Sequence, residues 1–495
     1  MQGKKVIVIG GGISGLATAA LLGKNGYRVT LFEKNAQLGG RAQVLQAKGF
    51  SFDMGPSWYM MPEVFEKYFS LFGKKPSDFY KLKKLDPRYR VFFGQNDYVD
   101  IDDSFNKNMQ LFEKLEKGAG KKLEKLISDL KAIYPLIGDR FIYSDYTRLA
   151  DLINASNLKA LVAIFTKANP LLSFNQYISK RFSSDKLKKI LEFSTVFLGG
   201  SPYNTPAVYS MLIYADFMQK IWYPLGGMKM VIKALETLCR DNSVDIKLSE
   251  PVNHLEVHNN KASGVTTTKG SYPADYIVSS ADYAFTETKL LASKWQTYSE
   301  KYWQKKTLAI SAILIYLGIR GKVNNMLHHN LYFCPDWQEN FKQIFKDKTY
   351  PIDPSLYISI RTKSDNTIAP KDTEELFILV PLGSGMVIDE NWQAKYVDFV
   401  INKIEEISGE AIHSRIIFKK VFAQNDFSQE YNAYQGTALG LAHTLNQSVM
   451  FRPNNKSKKV TNLYYVGQYT NPGVGVPMCL VSAQIVAELI NHENR

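Results

Sequence analysis

Cysteine is scarce in this chain. Its three copies, Cys239, Cys334 and Cys479, lie far apart and are odd in number, which argues against a disulfide framework and against a CxxC metal or redox pair. Histidine is scarce too. The seven histidines include no HExxH and no Cys/His cluster, and the one adjacent pair, His328-His329, reads as a solvated loop, so no metal site is expected. No stretch reaches the ~20 consecutive apolar residues that a membrane-crossing helix requires. The longest candidate, Leu308–Ile319, carries Ser and Tyr and reads as a core strand. The chain enters its first strand directly, with no apolar leader or cleavage site, which predicts a protein that stays in the cytoplasm. Repeats, low-complexity tracts and nucleic-acid motifs are also missing, so the net charge of +14 is not read as a nucleic-acid footprint.

What the chain does have is concentrated at its two ends. The stretch "KKVIVIGGGISGLATAALLGKNGYRVTLFEKNAQLGGRAQ", Lys4–Gln43, opens with the apolar run Val6–Ile9, a buried strand by pattern. Glycines follow, and Leu16–Leu22 with its alanines reads as a helix. In that order each glycine has a physical task. Gly10 turns the chain out of the strand, Gly12 removes a side chain where a pyrophosphate approaches the backbone, and Gly15 lets the helix pack closely on the sheet. A second strand, Val29–Phe32, ends at Glu33, placed to accept hydrogen bonds from an unphosphorylated ribose. Gly39-Gly40-Arg41 then adds two flexible residues and a fixed cation, suited to a second phosphate-facing loop. At the far end, Leu463–Gly467 reads as one more buried strand, followed by a Gly/Pro turn and a helix beginning near Val476. Gly473 and Gly475 leave room there for something flat or charged to approach the backbone.

"EKNAQLGGRAQ" with "FSFDMGPSWYMMP" (Phe50–Pro62) resembles the N-terminal signature of flavin-dependent amine oxidases and carotenoid desaturases. "LYYVGQYTNPGVGVPMCLVSAQIVAELI" (Leu463–Ile490) resembles the C-terminal signature of the bacterial phytoene desaturase family. The resemblance spans nearly the whole chain and implies an α/β fold: a Rossmann-like FAD-binding domain of the glutathione-reductase/amine-oxidase type, interleaved with a mixed α+β substrate domain. Residues 1–75, 224–284 and 421–495 would form the FAD-binding part, and 76–223 and 285–420 the part that meets substrate and membrane. The resemblance implies FAD contacts from Gly10, Gly12, Ser14, Gly15, Glu33, Lys34, Gly40 and Arg41. It adds Gly55 and Pro56 near the flavin ring, Val252 near the adenine, Ala281 in the Ser279–Asp282 turn, and Gly467, Gly475 and Val476 on the ring and ribityl chain.

The implied activity is FAD-dependent desaturation of phytoene or a C30 analogue: hydride leaves one carbon for the flavin and a proton leaves its neighbour. Reoxidation would fall to a quinone or oxygen, since one dinucleotide fingerprint is visible. No base is assigned to the proton step. Asp139, Arg140, Asp145 and Asp151 read as surface or pairing charges. Aromatics cluster at Tyr143, Tyr146, Phe165, Phe174, Tyr177, Phe193, Phe197, Tyr203, Tyr209, Tyr214, Phe217 and Trp222. Such a set lines a tunnel for a polyisoprenoid or packs helices together, and for any single residue packing is the expectation. Residues 76–223 are expected to be largely helical. The lysines of Lys107–Lys131 and Lys180–Lys189, beside apolar stretches such as Leu158–Phe165 and Leu171–Tyr177, suit either an anionic membrane surface or a solvated helical face. Peripheral association with the inner face of the cell membrane is expected. Family members that oxygenate, isomerise or saturate polyenes, amine-oxidase-like enzymes, and prenyl-binding carriers on the same fold are the alternatives. The intact glycine, Glu33 and Arg41 set speaks against a carrier.

Overall fold

The computed structural model describes residues 3–145, 155–386 and 389–493, without the side chains of residues 139, 140, 155 and 156. Tyr146, Asp151 and the side chains of Asp139 and Arg140 therefore lie outside the described residues. The N-terminal pattern folds as its periodicity requires. Strand β1 (Lys5–Ile9) is buried from Val6 onward, Gly10 leaves it at φ +99°, and helix α1 (Ile13–Lys24) returns over the sheet. Strand β2 (Arg28–Phe32) pairs in parallel with β1, setting Val6 beside Val29 and Val8 beside Leu31.

Distant segments complete this sheet. Strands β3 (Asp245–Lys247), β4 (Tyr276–Ser279) and β5 (Leu463–Tyr465) give the order β5-β4-β1-β2-β3, with every pairing parallel. A parallel sheet must be covered on both faces. Val6, Val8, Val29, Leu31 and Val278 share a core with α1 and with helix α2 (Val476–His492). Ile7, Ile9, Phe32, Ile277 and Leu463 share another with the antiparallel meander of Val252–His258, Lys261–Thr267 and Gly270–Pro273.

A second sheet of seven strands is built around Ser311–Arg320, confirming the strand read at Leu308–Ile319. Its order runs Ile416–Phe422, Ser311–Arg320, Thr373–Leu382, Leu356–Ser359, His329–Tyr332, Tyr89–Gly94, Asp97–Ile101. The span 76–223 is largely helical, as expected, with an exception at Tyr89–Gly94 and Asp97–Ile101, which form a hairpin that extends this sheet through parallel pairing of Arg90 with Asn330. One expectation is corrected. The pair His328-His329 is not a solvated loop. His329 begins a strand with no exposure and His328 is 4% exposed, since pairing with residues 356–359 draws them into the core.

The seven-stranded sheet is joined to the hairpin of Val44–Ala47 and Phe50–Asp53 at a buried guanidinium. Arg361 lies 2.7 Å from Asp53, donates to Glu375 at 2.9 Å and also donates to the Ser51 carbonyl, and it is 1% exposed. Asp53 in turn accepts the Met228 N–H at 2.9 Å, where the Gly226-Gly227 turn opens the helix Lys229–Asp241. A β-carbon on Gly227 would stand 2.7 Å from the guanidinium, so glycine is required. Replacing one partner of a buried ion network strands the others without compensation, costing about 3–5 kcal/mol. Arg361→Met is therefore expected to lower the denaturant midpoint sharply, measured by unfolding monitored through tryptophan fluorescence.

Glu192 supplies a pH-dependent element. It is 2% exposed, its carboxylate receives Asn175 Nδ2 at 3.1 Å, and burial pushes its pKa up to about 7. A carboxyl raised in the folded state stabilises fully below its unfolded value near 4.5 and loses that contribution as pH rises through about 7. The wild-type chain is expected to lose up to about 3 kcal/mol between pH 4.5 and 8 from this group alone. Glu192→Gln should flatten that part of the stability profile, measured by denaturant unfolding across the pH range.

Candidate active site

The glycine turn after β1 is shaped for an anion. Gly12 caps α1 in an extended conformation, and a β-carbon there would meet nothing within 4 Å, so its backbone faces open space. Gly15 differs. A β-carbon on it would lie 2.0 Å from the Gly10 carbonyl, so this residue sets the helix-to-turn distance and does not line the space itself. Ser14 Oγ meets Ser280 Oγ at 2.8 Å, tying the turn to the segment after β4. Glu33 sits at the end of β2, 5% exposed, with the Gly11 N–H on one oxygen at 2.7 Å and the Asn35 N–H on the other at 2.8 Å. Burial raises its pKa and these donors oppose the rise. Lys34 next to it reaches the Gln429 carbonyl at 2.5 Å.

The second loop closes over the first. Gly39 and Gly40 have φ of +114° and +55°, which brings Gly40 against Gly12: a β-carbon there would be 3.3 Å from the Gly12 α-carbon. Arg41 follows, donating to the Thr437 carbonyl at 3.3 Å and lying 5.6 Å from the Tyr431 ring centre. Its Nε is buried without a hydrogen-bond partner, which leaves a donor for an anion. Gly55 packs on the Arg41 carbonyl, where a β-carbon would stand 2.6 Å away. At the C-terminal end Gly467, at φ +106°, faces Ser14 Oγ, and Gly475 precedes Val476 at the N-terminus of α2.

These segments border one cavity of about 1030 Å³. Of the residues singled out in the sequence, Gly10, Gly12, Ser14, Glu33, Lys34, Gly40, Arg41, Gly55, Pro56, Val252, Ala281, Gly467, Gly475 and Val476 line it, and Gly15 supports it from behind. The cavity continues into an apolar wall shared with the seven-stranded sheet. Phe165, Phe193, Phe197 and Tyr209 line it, whereas Phe174, Tyr177 and Phe217 are packing core. Phe165, Leu445, Val449 and Phe451 both line the cavity and are 39–58% exposed, so its mouth has an apolar rim.

Two phenol–imidazole pairs interrupt this wall, and sequence reading missed both. Tyr357 bonds to His329 Nδ1 at 2.8 Å and to Ser57 at 2.6 Å, with Trp58 stacked on the imidazole at 4.4 Å. Burial pushes the His329 pKa down to about 3. His443 Nδ1 meets Tyr209 at 2.6 Å, while its Nε2 accepts the Val474 N–H at 3.3 Å, so Nδ1 carries the hydrogen. Burial and nearby Arg452 hold His443 neutral. The flat group that Gly473 accommodates proves to be this imidazole, since a β-carbon would lie 2.3 Å from Cε1. In sequence His443 is a lone histidine, and His329 stands out only as half of the adjacent pair His328-His329.

The match to a family model settles what this cavity belongs to: it is that of the flavin containing amine oxidoreductases, and it covers residues 13–491. The chain belongs to that family. Among curated proteins, this oxidoreductase is 39% identical to a carotenoid 3,4-desaturase of Haloarcula japonica, over 99% of this chain and 98% of that one. It is 32% identical to a 4,4'-diapophytoene desaturase of Staphylococcus haemolyticus, over 98% of each chain. These relatives place it in the carotenoid desaturase family of flavin oxidoreductases. An oxidoreductase structure from Methanosarcina mazei superposes with a TM-score of 0.65 at 18% identity, over 98% of this chain and 100% of that one, which supports the fold. The donor set suits a flavin dinucleotide: a buried carboxylate for a ribose, open backbone N–H groups for phosphate, and the unpartnered Arg41 Nε.

Gly12 and Gly15 are expected to separate binding from folding in this flavoenzyme. Gly12→Ala should fold with wild-type stability yet hold flavin at least tenfold more weakly, whereas Gly15→Ala should lower stability as well. Flavin titration by fluorescence quenching, beside thermal unfolding of the apoprotein, reads both. Glu33→Gln is expected to weaken flavin binding about ten- to hundredfold, the worth of a charge-assisted hydrogen bond.

Proposed function

We propose that this chain is an FAD-dependent carotenoid desaturase whose substrate enters from a membrane. The observation that carries the reading is a single cavity joining a dinucleotide turn to an apolar chamber with an exposed apolar rim. Residues 1–75, 224–284 and 421–495 hold the cofactor in this reading, and 76–223 and 285–420 form the chamber. Val252 and Ala281 would hold the adenine end, Glu33 the ribose, Gly12, Ser14, Gly40 and Arg41 the pyrophosphate, and Gly55, Pro56, Gly467, Gly475 and Val476 the ring. When bound, FAD supplies the hydride acceptor at N5. The chain's own contribution is to bind, orient and exclude water. Phe193, Phe197 and Leu331 hold a polyene against the ring, and the neutral His329–Tyr357 and His443–Tyr209 pairs keep charge out of the wall.

The rim favours membrane contact through apolar side chains more than through lysines. Leu158 and Val162, each 56% exposed, lie on the helix Ala155–Ala168 that also carries the rim residue Phe165, and Leu171, 69% exposed, follows in the turn after it. Many lysines of the basic stretches are already engaged: Lys107 with Asp102, Lys122 with Glu116, and Lys125 with Asp129, while Lys189 is buried against the Cys334 and Pro335 carbonyls. No helix among the described residues is long and apolar enough to cross a membrane, and the contact proposed is peripheral, on the inner face of the cell membrane. A quinone dissolved in the same bilayer, or oxygen, would reoxidise the flavin.

Identity is 39% to the Haloarcula carotenoid 3,4-desaturase and 32% to the diapophytoene desaturase, which supports a carotenoid-type substrate. The FAD-loaded protein is therefore to be incubated anaerobically with phytoene, its C30 analogue and lycopene in liposomes. Bleaching of the flavin bands with red-shifted polyene bands is expected for one of them, and an unchanged spectrum with all three would overturn the reading. Val449→Ser with Phe451→Ser should weaken binding to zwitterionic vesicles, roughly tenfold for each large apolar group lost, with little dependence on salt.

A further inference from the structure

We infer that Arg452 is the electrostatic partner of the reduced cofactor, its guanidinium standing behind the loop Gln468–Gly473 and stabilising the negative charge the ring gains with a hydride. The inference rests on FAD occupying the cavity. Arg452 is 2% exposed and no carboxylate among the described residues lies within 4.0 Å of it. Its nitrogens are held by carbonyls alone: Thr470 at 3.2 Å, Gln447 at 3.2 Å and Gln468 at 2.5 Å. This contrasts with the other fully buried arginines. Arg88 has Asp216, and Arg361 has Asp53 and Glu375.

A buried charge without a counter-charge is costly, and proteins pair such groups or use them. Burial pulls the Arg452 pKa down to about 10, which leaves the group cationic at neutral pH, and the nearby Tyr209, Tyr302 and Tyr469 are neutral phenols. The cation is therefore uncompensated until an anion arrives. Its position indicates which one. Glu33 and the Gly12 turn fix the ribose and pyrophosphate end, and the cavity continues from there past Gly55 to the loop that Arg452 grips by its carbonyls. A β-carbon on Gly473, in that loop, would lie 3.6 Å from the guanidinium carbon. The phosphates have Arg41 and the α1 N-terminus, and a carotene carries no charge.

The charge balance is simple. Hydride transfer breaks a substrate C–H bond and forms an N–H bond at N5, bringing two electrons and one proton to a neutral ring, which becomes a monoanion. The second proton leaves the neighbouring substrate carbon for solvent. Arg452 neither gains nor loses a proton, and it acts as a fixed positive charge near the ring, a recognised means of tuning a flavin. It is a positioning residue in the electrostatic sense, and its removal should make reduction harder without touching substrate.

The test is the two-electron midpoint potential of the FAD-loaded protein, by dye equilibration without carotenoid. Arg452→Gln should favour the oxidised form at least tenfold relative to wild type, a fall of about 30 mV for a two-electron couple, while Arg452→Lys should stay closer to wild type. Flavin bound normally with an unchanged potential in Arg452→Gln overturns the inference. Should that variant fail to hold FAD, the wild-type protein loaded with 8-mercapto-FAD answers instead. A cation beside the ring is expected to draw the analogue's negative charge onto the ring and red-shift its band, and an unshifted band overturns the inference. Absence of flavin uptake by the wild-type chain is a different result, and it overturns the FAD reading itself.

Discussion

The Arg361 guanidinium is the constraint on which the cavity depends. It gathers Asp53, two residues before Gly55 of the Gly55-Pro56 turn, and Glu375, from a strand inside the seven-stranded sheet. The same Asp53 accepts the Met228 N–H, fixing the start of a helix whose Cys239 packs against the Leu16 carbonyl of α1. One buried charge thus sets the distance between the dinucleotide turn and the apolar chamber. Two carboxylates around one guanidinium carry an excess negative charge. Burial raises the Glu375 pKa and by itself disfavours the charged guanidinium, but the nearby Asp53 and Glu375 outweigh that and hold Arg361 firmly in its charged form, at the cost of desolvation.

The cofactor half of the molecule was legible because its information is local. A strand, a turn and a helix occupy successive residues from Lys5 to Lys24, and each glycine there acts within a few ångströms of its own neighbours. Gly15 shows how literal that reading is. Its β-carbon is excluded by the Gly10 carbonyl, five residues back in the same motif. Resemblance at the two ends then supplied what spacing alone does not, namely that Gly467 and Gly475 return to the turn that Gly12 opened.

The chamber was less legible because its elements are made by pairing across long stretches of chain. Tyr89–Gly94 lies in a span whose pattern is largely helical and carries no alternation that forces a strand. It becomes one because Arg90, Val91 and Phe92 meet Asn330, Leu331 and Tyr332. The same pairing explains the error over His328-His329, where polar neighbours suggested solvent. Once the strand is in the sheet, His329 is sealed by Trp58 on its face and Tyr357 on its edge. Arg361 is of the same kind, since nothing in "ISIRTKSD" announces a partner more than three hundred residues away.

An apolar wall still needs partners for the phenols that meet it, and the two histidines supply them to Tyr357 and Tyr209 without charge. An ionised imidazole in this wall would require a counter-ion, and burial instead drives both His329 and His443 to the neutral form. Each then spends a ring nitrogen on a phenol that itself lines the chamber, Tyr357 or Tyr209. The tautomer of His443 is set by the Val474 N–H, in the loop that leads into α2. The polar framework of the apolar wall is therefore anchored to the backbone of the loop that leads into α2, so a shift of that loop reaches Tyr209 through a single imidazole. Arg452, which holds the same loop by its carbonyls, keeps that connection taut from the other side.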